Sequence, residues 1–147
     1  MQPIQNTLLS AYEFYADDIF RHCYLRLLDR EQGKQILEDT FKRTWSYLSE
    51  GATPEDIRAL LYRMANALIE EYRKGREGLV AAPAAVPEKE AEIVPVLRTF
   101  DAIDRDILVM HFIDQMDAPA IAALMSLSTE DVHVRLDSAR STLTAKL

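Results

Sequence analysis

Residues 117–143 read DAPAIAALMSLSTEDVHVRLDSARSTL, and this stretch decides the fold. An apolar run over about 118–125 predicts a short helix. Ser128-Thr129-Glu130-Asp131 has capping character and opens a longer helix that runs to about residue 145. On that helix Val132, Leu136, Ala139 and Leu143 recur at helical spacing and define a buried side. Glu130, His133, Val134, Asp137, Ser138 and Ser141 fall opposite. A short helix, a tight turn and a longer helix have helix-turn-helix dimensions.

Upstream, residues 102–114 predict a helix that buries Ile103, Ile107, Leu108 and Phe112, and residues 93–100 a short one. The breakers Gly75, Gly78, Pro83, Pro87 and Pro95 cluster just before and around these elements, a linker composition. The first half reads as three helices. Residues 4–28 carry Phe20, Cys23, Tyr24 and Leu27 at i, i+3, i+4 and i+7. Residues 31–48 place Ile36, Leu37, Phe41, Thr44, Trp45 and Leu48 along one side. Thr53-Pro54-Glu55-Asp56 starts the third, with a capping threonine, proline at the first helical position and acids facing the dipole. Its stripe is Ile57, Leu60, Leu61, Met64, Leu68 and Tyr72. The expected fold class is all-α: two small helical domains, 1–76 and 93–147, joined by a flexible linker, 77–92, the second domain with a helix-turn-helix.

The 147 residues carry 17 Lys+Arg against 24 Asp+Glu, a net charge of −7. Such acidity argues against a protein that coats nucleic acid or an anionic membrane through a basic surplus. The charge is unevenly placed: residues 1–76 carry −1 and residues 77–147 carry −6. A nucleic-acid contact is electrostatically easier for the first half. The single cysteine, Cys23, permits no intramolecular disulfide, fits a reducing cytoplasm, and sits on a core stripe where an inert thiol is expected. No apolar run reaches the ~20 residues that span a bilayer, and no signal peptide is read, so the expectation is a cytoplasmic protein without a membrane partner.

On the third helix, Arg58, Tyr62, Asn66, Arg73 and Arg76 fall within about 80° of one another at 100° per residue. Arg and Asn bond phosphates or base edges, and Tyr stacks on an unpaired base. The plain alternative is a solvated helix face, since Glu70 and Glu71 dilute the charge. His22, His111 and His133 are scattered, so no metal is expected. Phe41 and Trp45, four residues apart, read as core packing, and Tyr47 as the more open aromatic. No phosphate loop, nucleophile elbow or carboxylate pair stands out; neither a cofactor nor enzymatic activity is expected.

The run Tyr12-Glu13-Phe14-Tyr15-Ala16-Asp17-Asp18-Ile19-Phe20-Arg21 resembles the opening helix of region two in extracytoplasmic-function (ECF) sigma factors. Asp29-Arg30-Glu31-Gln32 with Ile36–Trp45 is similar to that family's second helix, and Leu60–Ile69 to its third. Asp104–Met110, Ile121–Met125, Val132–Leu136 and Ala139-Arg140 resemble region four. The resemblance implies a sigma factor that binds core RNA polymerase, recognises promoter DNA and promotes initiation. It implies that Glu38, Asp39, Phe41 and Lys42 lie on the polymerase-docking helix and that the loop 49–53 lies near a flipped base. It implies that Arg58, Tyr62, Asn66, Arg73 and Lys74 face DNA, and that Thr129, His133, Arg135 and Arg140 belong to the helix that enters the major groove. A sixteen-residue linker reaches about 53–58 Å when extended, near the minimum for two readers about 15 base pairs apart at ~3.4 Å per pair.

The last helix departs from the family. Glu130 and Asp137 stand where Lys, Arg or small polar residues are usual, and Arg135 and Arg140 lie on the flanks. Ser126 and Gln115 replace glycines usual in turns. The alternative is therefore a sigma-factor mimic that captures an anti-sigma protein without reading DNA; a third possibility is a degenerate helical protein outside transcription.

Overall fold

The computed structural model describes residues 4–52, 56–75 and 93–146, which contain seven helices and no strand. The chain divides into two compact units, Met1–Ala82 and Pro83–Leu147. The all-α expectation holds. The expected linker 77–92, the cap Thr53-Pro54 and Arg76 lie outside the described residues.

The first unit holds α1 (Ile4–Leu27), α2 (Arg30–Ser49) and α3 (Ile57–Gly75). Leu28 leaves α1 in the left-handed region, φ 55°, and the Asp29 carboxylate then accepts a bond from the Gln32 amide at 3.1 Å, capping α2. This two-residue reversal makes α1 and α2 an antiparallel hairpin. They approach closely at Gly33, where an added Cβ would lie 3.1 Å from the Tyr24 Cα. α2 buries Gly33, Ile36, Thr40, Phe41, Thr44 and Leu48, a spacing of three and four that keeps one face inward. The buried Thr44 hydroxyl donates to the Thr40 carbonyl at 2.8 Å, so burial does not strand it. For α3 the Asp56 carboxylate accepts from the Ala59 amide at 3.1 Å, which places a cap three residues after the expected Thr53.

The second unit holds α4 (Ile93–Arg98), α5 (Ala102–Leu108), α6 (Ala118–Met125) and α7 (Thr129–Lys146). Asp101 caps α5 through the Asp104 amide at 2.8 Å, Asp117 caps α6 through Ala120 at 3.0 Å, and the Ser128 hydroxyl caps α7 through Asp131 at 3.0 Å. Arg105 donates to the carbonyls of Leu97 and Phe100, both at 3.2 Å, and so ties α4 and its following turn to α5. The core takes in Ile107, Met110, Ile121, Val132, Leu136 and Ala139.

The helix expected over 102–114 changes character inside. From Val109 to Ile113 it is a π turn, closed by the Asp114 amide on the Val109 carbonyl at 3.0 Å. The wider turn shifts every later position around the axis. Met110 is fully buried, while Phe112, expected inside, is 48% exposed. Ile103, also expected inside, is 41% exposed on the first turn.

Candidate functional site

The expected docking helix is α2. Tyr12 of α1 meets Phe41 edge-to-face with centroids 4.9 Å apart. Around this pair lies an open groove of about 600 Å³, floored by Leu8, Tyr12, Phe41 and Trp45, with Glu38 and Lys42 on its rim. Three of the four expected docking residues therefore share one groove. Asp39 is not among its lining residues and accepts from the Gln35 amide side chain at 3.1 Å. Trp45 corrects the core reading: it is 40% exposed, whereas Phe41 is buried. At 100° per residue Trp45 lies about 40° beyond Phe41, and Phe41 is already at the edge of the buried arc. Tyr47 is as open as expected, at 40%. On the other side of Tyr12 the Arg30 guanidinium stands over the rings of Phe20 and Tyr24, 5.2 and 5.9 Å from their centroids.

The expected DNA stripe of α3 is corrected at one position. Tyr62 is only 1% exposed. Its ring packs edge-on against His22 of α1, centroids 5.0 Å apart, and the Arg58 guanidinium lies 4.8 Å from its centroid. A ring so enclosed cannot stack on a base. The physical reason is that the buried arc of α3 is broader than its apolar stripe and takes in Tyr62, Ala65 and Ile69. Arg73 is half-buried; it donates to the Arg26 carbonyl at 2.9 Å and pairs with Glu70 at 3.8 Å. Arg58 and Asn66 are half-buried, while Lys74 and Arg63 are exposed.

Beneath Arg73 lies a polar network that sequence reasoning missed. Arg26 is fully buried on α1. Its guanidinium lies 3.1 Å from His22 Nε2 and 3.7 Å from the Glu70 carboxylate. A guanidinium only donates, so His22 Nε2 accepts. The signal was present: Arg26 continues the Ile19–Cys23 stripe at i+7, and a buried cation there demands an acceptor from the neighbouring helix. Arg63 was also missed, because it lies about 60° beyond Asn66, outside the expected stripe.

On α7, Val132, Leu136 and Ala139 are buried as expected, and Leu143 is half-buried. Thr129, Glu130, His133, Asp137, Ser138 and Ser141 are exposed, and Val134 is 61% exposed. The two flanking arginines are both engaged. Arg135 Nη1 pairs with the Asp104 carboxylate of α5 at 2.9 Å. Arg140 Nη2 lies 3.3 Å from His111 Nε2, and its guanidinium stands 5.5 Å from the Phe112 centroid. His111 Nδ1 donates to the Met116 carbonyl, at 3.1 Å, which leaves Nε2 to accept from Arg140. Cys23 is fully buried. Among the described residues no cluster of His, Cys, Asp and Glu could hold a metal, and no helix is long and apolar enough to cross a membrane.

No family model and no curated protein matches the sequence. Solved structures do match. CnrH, solved in complex with the cytosolic domain of CnrY, is 22% identical with a TM-score of 0.75, over 96% of this chain and 87% of that one. The sigma factor RpoE from Bartonella quintana, solved with the anti-sigma factor NepR, is 15% identical with a TM-score of 0.77, over 92% and 93%. The chain has the ECF sigma-factor fold. The two residues expected to replace glycines, Gln115 and Ser126, both adopt left-handed backbone, φ 59° and 56°, where glycine carries no steric penalty and other residues do. Ser126 still closes α6, its amide bonding the Ala122 carbonyl.

Proposed function

We propose that this chain acts as a sigma-type initiation factor, with 1–76 as the polymerase-docking and DNA-opening domain, 77–92 as the tether and 93–147 as the second DNA-contacting domain. The observation that carries the reading is the groove between α1 and α2, set in a fold shared with sigma factors over nearly the whole chain. An open aromatic floor with one acid and one base on its rim suits a helical protein partner, which brings apolar side chains to the floor and charges to the rim. Core RNA polymerase is that partner in this reading. Glu38, Phe41, Lys42 and Trp45 make the contact, and Asp39 lies beside it.

Promoter contact is assigned to α3 and α7. On α3, Lys74 and Arg63 are offered directly, and Asn66 is half-buried. Arg58 and Arg73 act from half-buried positions, Arg73 through a network that fixes its guanidinium. On α7, Thr129 and His133 stand on the outer face and Arg135 and Arg140 flank it. Binding and strand separation require no catalytic group. Adding the chain to core RNA polymerase from the same organism should yield transcripts that depend on a promoter; absence of association would reject the reading.

A second reading rests on the outer face of α7. Glu130, Asp131 and Asp137 are exposed there, both flanking arginines are tied down, and both similar structures were solved with a partner protein bound. In this reading the chain captures an anti-sigma protein. Tight one-to-one binding of such a protein, combined with no promoter-dependent transcript, would favour it over initiation.

A further inference from the structure

Arg135 is one of two cations flanking the face that α7 would offer to DNA, yet its guanidinium is spent inside the unit. Nη1 lies 2.9 Å from the Asp104 carboxylate, the side chains being 37% and 29% exposed. Both groups therefore keep a solvent-facing side. Asp104 is held firmly: its amide donates to the Asp101 carboxylate at 2.8 Å in the first turn of α5. Arg135, by contrast, is a long side chain whose only anchor on α5 is that carboxylate. A phosphate and Asp104 would compete for the same donors with similar geometry, since both accept from guanidinium through charged oxygens.

We propose that Asp104 masks Arg135, an intramolecular carboxylate that occupies the guanidinium and must yield it before α7 can bind a DNA phosphate. This rests on the reading in which α7 meets DNA. A part-exposed ion pair is weak, so the mask lowers affinity without abolishing it. It suits a reader whose DNA affinity is meant to depend on being delivered to the promoter by a larger assembly. Arg140 is occupied in a parallel way by His111 and Phe112, so freeing Arg135 unmasks one of the two flanking cations.

The test is a double-mutant cycle on the full chain, with a fluorescein-labelled duplex of mixed sequence as probe and anisotropy read between about 50 and 200 mM salt. Asp104→Asn should tighten binding about two- to fivefold and steepen the logarithmic salt slope by about 0.9, one further phosphate contact. Arg135→Ala should weaken binding more in the Asp104→Asn background than in the wild type, and should remove the gain in slope. Asp104→Ala serves as a second unmasking variant, and circular dichroism melts confirm that all variants are folded. No tightening in either Asp104 variant would overturn the proposal. So would a gain that survives Arg135→Ala undiminished, because a lost negative charge alone would then explain it. No polymerase is present, so failure here leaves the docking groove standing, and only loss of polymerase association removes that reading.

Discussion

A tyrosine on an amphipathic helix can turn its ring to solvent or to the core, and periodicity alone does not choose. Tyr62 turns inward, between His22 and Arg58. Tyr62→Ala should therefore remove about 3–5 kcal/mol of stability from the first unit, measured by denaturant unfolding. A change below about 0.5 kcal/mol, the usual effect of a surface substitution, would return the ring to the exposed face. Thr40 tests the same core from its polar side. Its hydroxyl is buried and finds no hydrogen-bond partner among the described residues. Replacing it by valine removes a desolvated group at nearly constant shape, so Thr40→Val should raise stability by about 1 kcal/mol. A loss of stability would mean that the hydroxyl is satisfied in solution.

The elements themselves were largely legible in the sequence. α6 and α7 stand where the apolar run and Ser128 place them, because side-chain caps at Asp117 and Ser128 fix where each helix begins. The interior of the 102–114 helix was not legible. A π turn leaves no periodic signature in five residues, and within it Met110 is buried while Phe112 is part-exposed. The third helix erred for another reason. A helix packed in a three-helix unit buries an arc wider than its aliphatic stripe, so Tyr62 was absorbed and Arg63 was left outside. In the groove between α1 and α2, Glu38, Phe41 and Lys42 share one lining, whereas Trp45, one helix spacing from Phe41 and so expected in the core, is part-exposed. Two turns carry strain that can be measured. Left-handed backbone costs an ordinary residue about 1–2 kcal/mol, and glycine's extra freedom in the unfolded chain offsets part of any gain. Ser126→Gly and Gln115→Gly should each stabilise the second unit by about 0.5–1 kcal/mol, seen as a melting temperature raised by several degrees. A lowered melting temperature would show that the side chains compensate for the backbone.

At the scale of the whole molecule, the net charge of −7 opposes free binding to DNA, and both arginines that flank α7 are occupied. The first unit is nearly neutral and carries the aromatic groove. In the proposed function, these features favour an order in which the chain meets its protein partner first and DNA second. The free chain should accordingly bind duplex DNA weakly, and binding should fall steeply with salt. The most direct test is equilibrium binding of the full chain to core RNA polymerase, comparing the wild type with Trp45→Glu. The charged residue would be desolvated against the aromatic floor on binding, while the exposure of Trp45 in the free chain keeps the fold intact. The wild type should bind with one-to-one stoichiometry, and Trp45→Glu should weaken that binding at least about tenfold, or ~1.4 kcal/mol. No association of the wild type, or equal binding by the two proteins, would contradict the account.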